Sequence, residues 1–428
     1  MIGLKKSKVQ QLAEYYVSFT VFLFLALSVA FQGSYAISGA VIISSYGFLF
    51  SAQVRGQIQL SKVEKTLVFL LILYLLSVIL EVIIYDVALR RLDPQSKILL
   101  FIPLIFLLNG VKIHRLVTVF GFGAGALGLF VLSIYEKYYL GVGRVGTTIN
   151  AIQLGNIALI IGLSAILLSP IAFRMQRRGL FFGSVLILLG ISGIIAAIFT
   201  LTRGGLVFLP LLILIVMAYN YQYIRRHIGK TLLLFSVLIL VVGYALPQTG
   251  AYSRFKTAAV NVESYFVEGN ASTSTGIRFE LWKVAALITL DNPVFGVGVT
   301  QYLAEKERMI NRGEIDQSVL KYGHSHNAYF YAAVRRGGVG LLILLALMFY
   351  PIWLGHKEMT GSQRGSRPQS LCLLIFGLFF ICANLTQVLF AHNSGMIMYT
   401  GMLIILVSLV LSGRSQPTIS EDPKGASE

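Results

Sequence analysis

The sequence predicts an all-α polytopic membrane protein with about twelve transmembrane helices and one long, partly helical loop on the outer, periplasm-like side. Hydrophobic residues make up 56% of the 428 residues and charged residues only 12%, with a mean hydropathy of +0.77. A soluble globular domain does not need so apolar a composition. Apolar runs long enough to cross the hydrocarbon core recur along the chain. Basic residues are concentrated in alternate connecting segments, as in multi-pass membrane proteins.

The predicted spans follow one another with charged residues, glycines or prolines between them. One of them, 97–109, is short, and we expect it to tilt or to be partly re-entrant. The predicted spans are 15–32, 34–52, 66–86, 97–109, 114–134, 149–170, 180–200, 205–222, 231–247, 329–354, 370–391 and 394–412.

Lys and Arg are distributed unequally between the two sides of these spans. With Lys5, Lys6 and Lys8 inside, roughly 19 basic residues lie on inner segments and 6 on the short outer loops. Both termini are therefore predicted to be cytoplasmic, and the formal net charge of +17 reflects membrane orientation rather than nucleic-acid binding. The basic start is also compatible with a cleaved signal peptide, but no clear small-residue cleavage site follows, so we interpret the first apolar run as a helix.

The chain is predicted to have four parts. The segment between the ninth and tenth spans is too long for a simple connection, and loops of more than ~15 residues are usually functional or disordered. The final segment is polar and rich in Ser and Pro, which is typical of disorder. The parts are transmembrane helices 1 to 9 in 1–247, the large outer loop in 248–325, transmembrane helices 10 to 12 in 326–412 and a disordered cytoplasmic tail in 413–428.

The large outer loop is predicted to be folded. Its apolar residues recur at helical spacing, and the turn-rich stretch DNPVFGVGVTQY follows them. Its acidic and basic residues balance, so a ligand would have to be bound by individually placed residues. The residues at helical spacing are Phe279, Leu281, Trp282, Val284 and Leu287.

Neither the carboxylates nor the cysteines predict a metal centre. EKE at 305–307 and EID at 314–316 have the carboxylate spacing of a divalent-cation site, but both lie in an alternating charged run that is more typical of a solvated helix face. Cys372 and Cys382 lie in one predicted span, which argues against a disulfide framework and against a thiolate metal site. We therefore expect no metal ion and no cofactor.

Three arginines on the predicted outer side are candidates for ligand binding. Arg144 lies in GVGRVG, which has the letters of a dinucleotide fingerprint without the strand and crossover unit that it requires; a flexible loop is the other interpretation. Arg203 precedes two glycines that allow a ligand to approach closely, although a surface arginine often snorkels to lipid headgroups. Arg278, in STGIRFELW, is either a ligand-binding residue or a surface charge paired with Glu280 or Glu263.

The stretch HSHNAYFYAAVRRGGVG, residues 324–340, joins two histidines to a glycine-rich apolar segment. If the chain is helical from His326 onward, Gly337 and Gly340 fall within about 40° of the same face, and glycines so spaced let a neighbouring helix pack closely. Histidine is a candidate general base because its ordinary pKa near 6.5 leaves it mostly neutral at neutral pH. A pair of hydrogen-bonded interfacial histidines is the alternative, and the sequence does not choose between His324 and His326.

The order and spacing of these residues resemble the O-antigen ligase family, within a superfamily that also includes O-antigen polymerases and some protein O-oligosaccharyltransferases. His326 and Asn327, then nine residues, Gly337, two residues and Gly340 match the His-Asn-x9-Gly-x-x-Gly pattern of that family. The further matches are TRGGL, GIRFELW, NPVFGVG and GVGRVGTTINAIQLGN. The resemblance covers roughly residues 140 to 345.

The resemblance implies a GT-C type glycosyltransferase of the bacterial inner membrane whose active site faces the periplasm. Such a protein moves a preassembled glycan from undecaprenyl diphosphate to an acceptor, which for the ligase is a sugar hydroxyl of the lipid A core. The implied transfer is inverting and metal-independent, with His326 as general base and Arg203 and Arg278 on the diphosphate. The implied partners are the lipid-linked donor, the lipid A-core acceptor and membrane lipids, not nucleic acid. The residues in supporting positions are Asn327, His324, Gly337, Gly340 and Arg144.

Two other functions are compatible with the sequence. A polymerase of the same superfamily joins O-antigen repeats with related chemistry. A transporter or flippase for lipid-linked sugars is the alternative from another class. Transporters usually show repeated halves, broken helices or polar residues at mid-depth in the membrane, and we expect few of these features here.

Overall fold

The computed structural model describes residues 7–27, 31, 33–147, 150–229, 231–232, 236, 251–361 and 366–414. Over these residues the chain is built from helices and contains no strand, which confirms the predicted all-α class. Eight helical segments of the described chain are long and apolar enough to cross a membrane. The predicted number of about twelve spans is therefore not confirmed.

We number the helices in chain order. The first eight are α1 (Lys8–Leu27), α2 (Ser34–Ser44), α3 (Ala52–Arg55), α4 (Lys62–Ile84), α5 (Asp93–Gly110), α6 (Arg115–Ile134), α7 (Ala151–Phe173) and α8 (Gly179–Phe199). The next six are α9 (Arg203–Leu206), α10 (Leu209–Tyr219), α11 (Tyr221–Arg226), α12 (Ala251–Glu268), α13 (Gly276–Asp291) and α14 (Gly298–Asn311). The last three are α15 (Ala328–Thr360), α16 (Arg367–Asn384) and α17 (Asn393–Gly413).

Two predicted spans have a different extent because of prolines. The short span predicted at 97–109 is part of a longer segment, Leu89–Gly110, and α5 tolerates Pro94 because that residue lies in its first turn, where the missing N–H costs no helical bond. The predicted short length of this span is therefore wrong, and its tilt or partial re-entry stays a prediction. The span predicted at 205–222 is divided into α9 and α10, and Pro210 lies in the first turn of α10.

Three further spans differ from the prediction. The span predicted at 34–52 is the shorter apolar segment Ser34–Phe50, which ends in a 3₁₀ helix. The helix that corresponds to the span predicted at 370–391 ends at Asn384. The span predicted at 231–247 lies outside the described residues except for 231, 232 and 236, and the tail predicted at 413–428 lies outside them from residue 415 onward.

The long helices alternate in direction, so the bundle has two ends. At the end that we call the basic end, α4 and α6 begin and α15 and α17 finish. Here Arg414 and Glu358 form an ion pair of 2.6 Å, and the Tyr350 hydroxyl donates to the Val63 carbonyl at 2.5 Å. At the opposite end, the loop end, α15 and α17 begin and the outer-loop helices α13 and α14 pack on α15.

Helices α16 and α17 lie at the centre of the bundle. In their most apolar windows 83% and 89% of the residues are buried, against 33% in α8. Helix α16 packs along α15 on one side and α7 on the other. The connection between the two central helices, residues 385–392, therefore lies over the middle of the loop end.

The turn-rich stretch of the outer loop docks onto a kink in α15. Gly337 has φ 62° and ψ −162°, a backbone conformation available essentially only to glycine. Beside the kink, the Gly338 N–H donates to the Pro293 carbonyl at 2.7 Å and the Val297 N–H donates to the Val334 carbonyl at 2.9 Å. These backbone bonds attach the segment between α13 and α14 directly to a membrane-spanning helix.

The prediction that His326, Gly337 and Gly340 share one helical face is wrong. Helix α15 begins only after His326, and Gly337 interrupts its repeat. Gly337 receives the loop backbone rather than a neighbouring helix, because a Cβ there would lie 2.1 Å from the Val294 carbonyl oxygen. Gly340 packs against its own helix, where a Cβ would lie 2.2 Å from the Arg336 Cβ.

An ionic cluster is buried among the membrane-spanning helices next to the kink. Arg335 Nε lies 2.6 Å from Glu81 Oε1, and Arg336 donates to Ser77 Oγ at 2.8 Å while its Nε lies 3.8 Å from the other Glu81 oxygen. Glu81 lies in the last turn of α4, near the loop end, so the expectation of few polar residues at mid-depth in the membrane stays a prediction. Because buried charges are tolerated only when paired, the cluster ties these two helices together beside the docked loop.

We expect Gly337→Ala to release the outer loop from α15. The new Cβ would require a strained backbone and would collide with the loop, so we expect a loss of at least ~1–3 kcal/mol of folding stability. Gly338→Ala is the matched control, since its Cβ would approach the Pro293 carbonyl oxygen only to 3.3 Å and its φ lies outside the left-handed region. Thermal unfolding in detergent measures both variants, and equal stability would contradict the docking.

Candidate active site

The segment that carries the two histidines lies at the loop end, immediately before α15. The ring centroids of His324 and His326 are 4.4 Å apart, and both side chains are half-buried. The backbone N–H of His326 donates to Nδ1 of His324 at 3.2 Å. Nδ1 of His326 lies 3.0 Å from Oε1 of Gln387. The neighbouring histidines therefore have different hydrogen-bond partners.

The local backbone turns His326 away from the helix that follows it. Its φ of 51° is left-handed, which is uncommon for a residue other than glycine. Asn327 is the N-cap of α15, and its Oδ1 accepts from the N–H groups of Tyr329 and Phe330 at 2.9 and 3.2 Å. Because this oxygen caps the helix, Asn327 supports the position of His326 through the backbone.

Helices α13 and α14 hold the histidine segment from both sides. Trp282 of α13 donates from Nε1 to the Ser325 carbonyl at 3.0 Å. Lys306 of α14 is buried, and burial lowers the pKa of its ammonium group. That group donates to three carbonyls of the segment before the histidines. The acceptors are Val319 at 3.2 Å, Leu320 at 3.3 Å and Tyr322 at 2.5 Å.

Arg203 and Arg278 reach this region from different parts of the chain. Arg278 lies half-buried in the first turn of α13. Arg203 begins α9, and its guanidinium donates to Ser274 Oγ at 3.3 Å. Burial lowers the pKa of Arg278, and the positive charges of Arg203 and Arg144 lower it further. The guanidinium groups of Arg203 and Arg144 therefore both lie within electrostatic range of Arg278.

Arg144 belongs to a loop that is fastened beside Arg203. Its Nε donates to the Thr200 carbonyl at 2.9 Å. The carboxylate of Glu136, which is fully buried, accepts from the Gly146 N–H at 2.5 Å. The GVGRVG segment thus closes over the turn between α8 and α9. The GVGRVG segment follows a helix rather than a strand. A dinucleotide fingerprint needs a preceding strand, so this segment does not form one.

The carboxylates of the outer loop are engaged in other contacts. Glu280, which the sequence allows as a partner of Arg278, accepts from the Tyr265 hydroxyl at 2.6 Å and from the Asp316 N–H at 3.2 Å. Glu305 pairs with Arg308 at 2.9 Å. Within the described ranges there is no group of three or more His, Cys, Asp or Glu side chains arranged to hold a metal ion.

Two residues of the site were missed by sequence reasoning, and both come from the connection between α16 and α17. Gln387 is only 2% exposed and contacts His326. The ring centroid of His392 lies 6.2 Å from that of His324, and its buried Nε2 makes no hydrogen bond to any described residue. Polar residues between two apolar runs are a usable signal, but the predicted span 370–391 included Gln387 and so concealed it.

Burial and positive charge keep the imidazoles neutral. The pKa of His326 is lowered to about 4, first by burial and then by the positive charge of Arg278. Burial lowers the pKa of His324 to about 3, with His326 contributing in the same direction. Burial also lowers the pKa of His392. The site therefore combines cations that can hold an anion with a neutral imidazole that can accept a proton.

A large cavity lies away from these residues. It has a volume of about 1070 Å³ and opens at the basic end, where Lys112, Arg115, Arg174 and Arg414 contribute to its walls. The candidate site lies at the opposite end of the bundle. It is identified by the clustering of charged and titratable residues with shifted pKa values rather than by cavity size.

Known proteins match the part of the chain that contains these residues. The family model described as O-antigen ligase matches residues 186–345, which include Arg203, Arg278 and His326; this confirms the family resemblance. The chain is also 26% identical over 372 residues to an uncharacterised protein of Haemophilus influenzae, and the match covers 86% of this chain and 92% of that protein. Arg144 and Gln387 lie outside the range of the family model.

We expect Lys306→Met to loosen the histidine segment without removing a residue that faces the arginines. The three carbonyls would lose a buried donor, which costs about 1–3 kcal/mol. Hydrogen exchange of residues 319–326 should become faster and the thermal unfolding temperature should fall. Arg308→Ala on the same helix is the control, since this side chain is 57% exposed. Unchanged exchange in the Lys306 variant would contradict the supporting role.

Proposed function

We propose, from the O-antigen ligase family domain that the chain carries in residues 186–345, that the protein is a membrane glycosyltransferase. It transfers a preassembled O-antigen glycan from undecaprenyl diphosphate to a sugar hydroxyl of lipid A-core. The bundle spans the bacterial inner membrane with both termini in the cytoplasm, and its loop end faces the periplasm, as the distribution of Lys and Arg predicts. The proposed reaction uses no metal ion and no cofactor.

One observation carries this proposal. Arg203, Arg278 and His326, which are distant in sequence, lie at the same end of the bundle, where the charge of Arg203 lowers the pKa of Arg278 and the charge of Arg278 lowers the pKa of His326. A glycosyl diphosphate donor needs positive charge for its leaving group, and a sugar acceptor needs a neutral base for its hydroxyl proton. This cluster supplies both in one place.

The arginines act on the leaving group. When the bond between the anomeric carbon and the phosphate oxygen breaks, the electron pair and the negative charge remain on the diphosphate. Guanidinium groups bind phosphate oxygens with two parallel hydrogen bonds, which gives both strength and orientation. Because the positive charge of Arg203 lowers the pKa of Arg278, a bound dianion would relieve the repulsion between the two guanidinium groups.

His326 acts on the acceptor. The acceptor hydroxyl oxygen forms the new bond to the anomeric carbon while its proton moves to an imidazole nitrogen of His326. A single displacement of this kind inverts the configuration at the anomeric carbon. The base contributes about 10²- to 10⁴-fold to the rate, and no acid is needed because the diphosphate leaves as a stable anion.

The place of the site suits a lipid-linked donor. The loop end is where the membrane-spanning helices finish, so a polyprenyl chain in the bilayer can present its diphosphate to Arg203 and Arg278. The reduced exposure to water at this border strengthens the charge interactions relative to bulk solution.

A strain that lacks the gene separates the proposed ligase from a polymerase of the same superfamily. We expect its lipopolysaccharide to run as bare core on a gel, with long lipid-linked glycan accumulating. Core that carries a single repeat would favour the polymerase instead. An unchanged ladder would contradict both enzymes.

We expect His326→Ala, Arg203→Ala and Arg278→Ala each to abolish surface O-antigen while the amount of protein in the membrane stays near normal. With purified protein, lipid-linked glycan and lipid A-core, each variant should lose at least about 10²-fold in transfer rate. Arg308→Ala, which removes an exposed arginine of the same outer loop, should transfer normally.

Two outcomes would contradict the assignment. Full activity of Arg278→Ala would contradict the proposed role of Arg278 in binding the diphosphate. A folded wild-type preparation that forms no transfer product would favour transport of the lipid-linked glycan over transfer.

A further inference from the structure

We propose that Gln387 fixes the tautomer of His326, so that the proton sits on Nδ1 and Nε2 is free to accept the proton of the acceptor. The inference rests on the proposed function and assigns Gln387 the part of a positioning residue. Gln387 itself would not touch the reacting atoms.

Gln387 enters the site from a rigid part of the bundle. It lies in the connection between α16 and α17, the two most buried membrane-spanning helices. Asn384 holds this connection, because its Nδ2 donates to the Phe380 carbonyl at 2.8 Å and its Oδ1 accepts from the Leu389 N–H at 3.1 Å. With its side chain only 2% exposed, Gln387 has little freedom to leave the imidazole.

The bond determines where the proton of His326 lies. Gln387 Oε1 is 3.0 Å from His326 Nδ1, and an amide oxygen can only accept. Nδ1 must therefore donate, and since a neutral imidazole carries one N–H, Nε2 keeps its lone pair. The opposite orientation of the amide would place an N–H against Nδ1 and would move the ring proton to Nε2. His326 would then have no free nitrogen lone pair to accept the proton of the acceptor.

The same reasoning separates the two neighbouring histidines. Nδ1 of His324 accepts from the His326 backbone N–H at 3.2 Å, so a neutral His324 carries its proton on Nε2. Nε2 of His324 is then a hydrogen-bond donor rather than a base. The geometry thus assigns proton acceptance to His326 and leaves His324 to donate a hydrogen bond, a choice that the sequence did not make.

The groups that face His326 come from several elements. Arg278 on α13 disfavours the imidazolium form. The Tyr322 ring centroid lies 5.3 Å away in the same segment, beside His324. The α16–α17 connection contributes His392, which also disfavours the charged form, and Gln387, which favours it through the hydrogen bond. Because Gln387 is neutral, it orients the His326 imidazole without adding a charged group beside Arg278.

Two substitutions of Gln387 test the proposal in the transfer assay with purified full-length protein. Gln387→Met removes the acceptor and should lower kcat by about tenfold or more, within the contribution of a general base, while KM for the lipid-linked donor changes little. Gln387→Glu keeps an acceptor oxygen and should retain most of kcat. Its negative charge stabilises the imidazolium, so the fall of activity on the acid side should move to higher pH.

Asn384→Ala is the matched control for loosening of the connection. It should lower the thermal unfolding temperature without moving the acid side of the pH profile. If Gln387→Met kept the wild-type kcat, or if Gln387→Glu left the pH profile in place, the positioning role would be overturned.

Nuclear magnetic resonance of protein labelled with ¹⁵N-histidine reads the tautomer without any reaction. We expect the His326 signals, assigned by their loss in His326→Ala, to show a protonated Nδ1 in the wild type and a shift toward protonated Nε2 in Gln387→Met. A protonated Nε2 in the wild type would overturn the inference. Absence of transfer by the wild type would overturn the proposed function and leave this measurement valid.

Discussion

The candidate site depends on the docking of the outer loop onto the kinked helix α15. The backbone bonds from Gly338 to Pro293 and from Val297 to Val334 fasten the segment between α13 and α14 to a membrane-spanning helix. Arg278 lies before this attachment and His326 after it, so one docked element brings both to the loop end. The close contact explains why glycine is required at position 337, where any Cβ would collide with the loop backbone.

Electrostatics decide what the assembled site can bind. Two half-buried arginines repel each other, and the nearby imidazole is driven to its neutral form by burial and by Arg278. The site therefore favours a group with negative charge, and binding of that group would raise the pKa of His326 and so make it a stronger base. The buried pair of Glu81 and Arg335 holds the helix framework that keeps these side chains at fixed distances.

The sequence predicted the all-α class, the helical outer loop and the family resemblance, because hydropathy, helical spacing and the histidine–glycine motif are local signals. It did not predict the kink at Gly337, since a docked loop is a tertiary contact that no periodicity reports. Sequence reasoning missed Gln387 because it lies near the end of an apolar run and was counted as part of the predicted span. The different hydrogen-bond partners of His324 and His326 follow from a left-handed residue and a partner from a remote connection, which spacing does not encode.

The most direct measurement of the central claim is the affinity of purified protein in lipid nanodiscs for undecaprenyl diphosphate without a glycan. The account predicts that Arg203→Ala and Arg278→Ala each weaken this binding about tenfold or more, since each removes a charge-assisted pair with phosphate oxygens. It predicts that His326→Ala binds as tightly as the wild type, because the imidazole acts on the acceptor. Wild-type affinity in both arginine variants would contradict the account.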